Sequence, residues 1–104
     1  MAKEFTDANF AQEVVATGGL AVVDFWAEWC GPCRMVGPII EQLAEENPDI
    51  NIGKVNVDEN NELAAKFGIR SIPTILILRD GEVIDKVSGV KPIGEFQELL
   101  AKHS

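Results

Sequence analysis

The stretch Leu20-Ala21-Val22-Val23-Asp24-Phe25-Trp26 constrains the fold more than any other, because it is apolar on both alternating faces except at Asp24. Successive side chains of a strand point to opposite sides, so a strand of this kind needs apolar cover on both. It reads as a central strand, running to Ala27, with helices above and below and with Asp24 buried. The flanking sequence supplies those helices. Thr6-Asp7-Ala8-Asn9 has the polar composition of a helix start, Phe10, Val14 and Val15 follow at helical spacing, and Gly18-Gly19 stops the run. After the strand, Pro32 suits the first turn of a second helix through Met35, Val36, Ile39, Ile40 and Leu43, which Asn47-Pro48 ends and Pro38 should kink.

Ile50 to Val57 reads as another buried strand, and Asp58-Glu59-Asn60-Asn61 as the opening of a helix over Leu63, Ala64 and Phe67 that stops at Gly68. Thr74 to Arg79, the turn Asp80-Gly81 and Glu82 to Ser88 form a hairpin, since Asp-Gly between apolar runs signals a two-residue turn. Pro92 to Ala101 is a last helix with Ile93, Phe96, Leu99 and Leu100 inward. Strand-helix units followed by a hairpin and a helix predict an α/β fold, a central mixed β-sheet flanked by helices on both faces. With 104 residues and 46% hydrophobic content, one domain over residues 1–104 is expected.

A formal net charge of -8 would repel a phosphate backbone or an anionic bilayer, so neither nucleic acid nor membrane is expected as a partner. No apolar run approaches the roughly 20 residues of a membrane span, and Met1-Ala2-Lys3-Glu4-Phe5 lacks the apolar core of a signal peptide. A cytoplasmic monomer is the expectation. In a reducing compartment the two cysteines are more useful as working thiols than as a permanent staple.

Those cysteines stand three apart in Trp29-Cys30-Gly31-Pro32-Cys33, after the buried strand and at the start of a helix, the place where open α/β sheets carry their sites. At that spacing the sulfurs share one side of the first turn and can reach bonding distance with little backbone movement. The unpaired amides and partial positive charge of a helix N-terminus favour thiolate at Cys30. Cys30 is then the nucleophile and Cys33, one turn in and more buried, the resolving thiol. Half of a zinc site is the alternative, but there is no second cysteine pair and the single histidine, His103, is in the terminal tail, so no metal is expected.

The segment Val23-Asp24-Phe25-Trp26-Ala27-Glu28-Trp29-Cys30-Gly31-Pro32-Cys33 resembles the active-site segment of the thioredoxin family, and C-x-x-C beside a β-α-β pattern is the recognised mark of that family. The likeness extends through Pro38, Lys54-Val55-Asn56-Val57-Asp58, Gly68-Ile69-Arg70-Ser71-Ile72-Pro73-Thr74 and Gly89. Glutaredoxins and oxidising periplasmic relatives carry other residues between the cysteines. Arg34, Gly37, Leu78 and Ser88 depart from the family's usual residues.

The resemblance implies a general protein-disulfide reductase that binds no cofactor and takes electrons from NADPH through a flavin-dependent thioredoxin reductase, with disulfide-containing proteins as substrates. It implies a cis peptide bond before Pro73, substrate pairing with the backbone of Ile72, and an apolar patch of Trp29, Val57, Ile72, Gly89 and Val90 around the nucleophile and the Gly31-Pro32 turn. It also implies a buried carboxylate, Asp24, with Lys54 as neighbour, beneath Cys33. Desolvation raises a carboxyl pKa, which would let Asp24 exchange a proton with Cys33 by way of water. An oxidase or isomerase of the same fold is disfavoured by Gly31-Pro32 and the lack of an export signal. A docking module with incidental thiols is the remaining alternative.

Overall fold

The computed structural model describes residues 1–104. Its sheet has five strands, β1 (Lys3–Glu4), β2 (Leu20–Trp26), β3 (Asn51–Asn56), β4 (Thr74–Arg79) and β5 (Glu82–Ser88), in the order β1-β3-β2-β4-β5. The first three run parallel, and β4 and β5 are antiparallel to their neighbours, so the sheet is mixed. Around it lie a π-helical segment, Ala11–Ala16, and three α-helices, α1 (Gly31–Glu46), α2 (Asn61–Lys66) and α3 (Ile93–His103).

The doubly apolar β2 is the middle strand and is buried from Ala21 through Phe25. Its two faces feed two cores. Val22 packs with Val36, Ile40 and Leu43 of α1, Ile75 and Ile77 of β4, and Phe96 and Leu100 of α3. Ala21, Val23 and Phe25 pack with Phe5, Phe10, Val14, Val55, Leu63 and Leu76 on the side of the π-helical segment and α2. By strand alternation Asp24 faces the α1 side with Val22, and its parallel partner in register is Lys54.

The Asp80-Gly81 turn has positive φ at both residues, 53° and 85°, the conformation a two-residue hairpin of matching twist requires. The helix start at Thr6 is a reciprocal cap, with the Asn9 amide donating to Thr6 Oγ1 at 3.1 Å and the Thr6 amide to Asn9 Oδ1 at 2.7 Å. Gly53 lies beneath the Phe5 ring, where a Cβ would come within 2.4 Å of it, so β1 can close over β3 only on a glycine.

Several expectations need correction. β1 has no signal of its own in two exposed residues; Phe5, buried after it, is what fastens the pairing. Val15 and Met35 point to solvent, because burial is set by which face of the helix meets the sheet and both lie beside that face. Pro38 lies within α1, which continues past it to Glu46. Strand β2 ends at Trp26 and β3 spans Asn51–Asn56, each shorter than its apolar run, while α3 continues to His103.

Candidate active site

Where β2 ends, the chain turns through a hydrogen bond from the Cys30 amide to Ala27 O at 3.2 Å and enters α1 with Cys30 as its N-cap. Cys30 keeps extended angles, φ -88° and ψ 108°, and its sulfur accepts the Cys33 amide at 3.2 Å. The capping role usually filled by a serine or aspartate oxygen is thus taken by sulfur, and a negative charge on it would face that amide and the positive end of the helix. Cys30 and Cys33 are joined as a disulfide with Cα atoms 5.3 Å apart. Contrary to the expected ordering, they are buried alike, at 4% and 3% exposure, because Ala27, Trp26, Val57 and Ile72 pack around both.

The loop opposite brings Ile72 and Pro73 to the sulfurs, with Ile72 O 3.7 Å from Cys30 Sγ. The Ile72-Pro73 peptide bond is cis. Pro73 O accepts the Gly89 amide at 3.0 Å, which ties the end of β5 to this loop. The Ile72 amide donates to no group of the chain. Trp29 is 69% exposed, and its indole is held by donation from Nε1 to Asp58 Oδ2 at 2.9 Å.

Trp29, Val57, Ile69 and Ile72 line a shallow groove of about 150 Å³ beside the disulfide. Gly89 reaches the site through Pro73, but neither it nor the exposed Val90 lines that groove, whose second wall is the Ile69–Ile72 loop instead. Gly31 and Pro32 are exposed on the first turn of α1.

Asp24 is 1% exposed, and neither carboxyl oxygen has a hydrogen-bond partner. Burial pushes its pKa up to about 7, against the opposing charge of Lys54. Lys54 makes no ion pair with it. The ammonium turns outward to Glu41 Oε2 of α1 at 3.0 Å, and Glu41 Oε1 accepts the Ala2 amide at 2.8 Å. Burial opposes ionisation of Glu41, yet that amide and Lys54 together hold its carboxyl below the usual value. Asp24 likewise has no hydrogen bond to Cys33, so a proton can pass between them only through an intervening donor such as water.

A buried disulfide capping a helix, an exposed tryptophan beside it and an unpaired backbone edge opposite form an arrangement suited to thiol-disulfide exchange with an extended peptide. The family model described as Thioredoxin matches residues 1–102. The chain is 49% identical over 104 residues to the thioredoxin of Listeria monocytogenes serovar 1/2a, covering 99% of each chain. It is 48% identical over 99 residues to that of Bacillus subtilis strain 168, covering 94% of this chain and 93% of the relative, and 46% identical over 104 residues to thioredoxin 1 of Synechococcus elongatus.

The chain belongs to the thioredoxin family. It is a thiol-disulfide oxidoreductase, a dithiol/disulfide protein reductase whose redox couple is Cys30 and Cys33. Thioredoxins bind no cofactor themselves and act on disulfide substrates in exchange with a reductase. No helix here is long and apolar enough to cross a membrane.

Against the usual thioredoxin pattern, Arg34 donates from Nε and Nη2 to Glu28 O at 3.2 and 2.7 Å, bracing the connector before Cys30. Gly37 leaves room for Lys54, whose Nζ would lie 3.4 Å from a Cβ there. Leu78 is core and Ser88 exposed. Two residues at the site were not singled out for a role in it from sequence. Asp58 was legible as part of a helix start and of a segment shared with the family but not as the partner of Trp29, and nothing in the spacing of Glu41 and Lys54 announces their pairing across α1 and β3.

Proposed function

We propose that this chain is a general reductase of protein disulfides in which Cys30 attacks and Cys33 resolves. In the dithiol form the Cys30 thiolate attacks one sulfur of the substrate disulfide, forming a Cys30–substrate disulfide and releasing the other substrate sulfur as a thiolate that takes up a proton. Cys33 then gives its proton to Asp24 through water, and its thiolate attacks Cys30 Sγ. The bond to substrate breaks, the second substrate thiolate leaves, and the Cys30–Cys33 disulfide closes. Two electrons pass from the dithiol to the substrate.

The observation that carries this reading is the N-cap geometry, in which the Cys30 sulfur alone meets the helix N-terminal amide. The burial of Asp24 supports its role as proton acceptor, with a pKa of about 7 placed near the operating pH. The free Ile72 amide and the groove lined by Trp29 and Val57 support docking of an extended segment by strand-like pairing, which would also run past Gly31, Pro32, Pro73, Gly89 and Val90. Lys54 would steady the local charge around Asp24. Electrons return from NADPH through a flavin-dependent thioredoxin reductase, and the chain works as a single-domain monomer in the cytoplasm.

The test is trapping. Cys33→Ser protein mixed with a disulfide substrate should accumulate a covalent adduct at Cys30, seen by mass spectrometry, whereas Cys30→Ser should give none. Equal adducts in the two variants would refute the division of labour.

A further inference from the structure

Lys54 and Asp24 face each other across β3 and β2, yet the ion pair forms elsewhere. Asp24 has Ile75 as its neighbour on β4 and Lys54 as its neighbour on β3, and α1, which covers this face, carries Glu41 and the disulfide-bonded Cys33. Of these, Lys54 is the only cation, and Glu41 holds it. Glu41 is fixed in turn, since its other oxygen accepts the Ala2 amide, and Gly37 one turn earlier leaves the space through which the lysine passes. Lys3, Glu4, Glu28 and Glu59 line the same opening as Lys54 and Glu41.

We propose that Glu41 is a positioning residue: by holding the Lys54 ammonium at the outer end of the crevice between α1 and β3, it denies Asp24 a counter-ion and so sets the charge state of Asp24. The inference rests on the reading of Asp24 as the proton acceptor for its catalytic consequence, although the effect on Asp24 itself does not need that reading. Without Glu41 the ammonium is freed from its pair; Glu4, Glu28 and Glu59 border the same opening, but the buried carboxylate is the lysine's partner in register, and pairing there favours the ionised form. The raised pKa of Asp24 agrees with a lysine that acts on it only at a distance.

Glu41→Gln tests this while keeping the side chain's size and an oxygen for the Ala2 amide. Titration of the Asp24 carboxyl carbon by NMR should show its pKa falling by about one pH unit, a tenfold loss of proton affinity. In a Lys54→Met background the same substitution should move it far less. An Asp24 pKa that stays in place in Glu41→Gln, or that falls equally with and without Lys54, would overturn the proposal. The pH profile of insulin-disulfide reduction separates the two readings. If Asp24 is the base, the acidic limb of the profile moves down with its pKa. If the pKa falls and the limb stays, Glu41 still positions Lys54 and the base assignment is what fails.

Discussion

Asp24 ionises near the ordinary carboxyl value of 3.8 in the unfolded chain and near 7 in the folded one, so folding takes up a proton between those values. With the folded pKa the higher, the stability contributed by the protonated form is complete below about pH 4 and lost as pH rises through about 7; the span corresponds to roughly 4 kcal/mol. Asp24→Asn removes the titration and keeps the shape. The variant should be more stable than the parent by about 2–4 kcal/mol above pH 7, with the difference shrinking toward pH 4, as read by denaturant melts across pH 4 to 9. It should also reduce insulin about tenfold to 100-fold more slowly near neutral pH, because Cys33 loses its proton acceptor. A variant less stable at high pH, or as fast as the parent, would contradict both effects.

The helix α2 has six residues and no cap from Asn60, whose side chain instead accepts the Asp7 amide at 2.9 Å. Asp7 returns the contact: its Oδ1 accepts the Leu63 amide at 2.9 Å and its Oδ2 the Glu62 amide at 3.4 Å, a cap supplied from more than fifty residues away. Asp7→Ala should therefore cost about 1–2 kcal/mol and speed amide exchange in α2, which in turn supplies Leu63 to the core. Unchanged exchange there would show that α2 is held by packing alone. This cap also marks the limit of what local sequence can say. The strands β2, β4 and β5, the helices α1 and α3, the Asp80-Gly81 turn and the cysteine pair were legible because periodicity, turn chemistry and spacing act within one element. Strand β1, the Trp29–Asp58 bond and the Glu41–Lys54 pair depend on where distant elements meet. The orientations of Val15 and Met35 were misread for the same reason: a helix can carry an apolar residue just outside the face that the sheet covers.

For the molecule as a whole, the disulfide closes a loop of separation 3, so in the loop-closure account it stabilises the fold by about 2 kcal/mol, a small share of the work of two cores built on both faces of β2. Reduction should accordingly lower the unfolding free energy by about that amount while leaving a cooperative transition; a reduced protein that no longer folds would mean that the disulfide is a structural staple and not a couple that cycles. The fold can release and reform this bond, and the central claim is that it does so to move electrons into protein disulfides. The most direct measurement is NADPH consumption with a flavin-dependent thioredoxin reductase and insulin as acceptor, with the parent and Cys30→Ser compared at catalytic amounts. The parent should drive many turnovers per molecule and Cys30→Ser none. Consumption no faster than with the reductase alone, or undiminished in Cys30→Ser, would contradict the account.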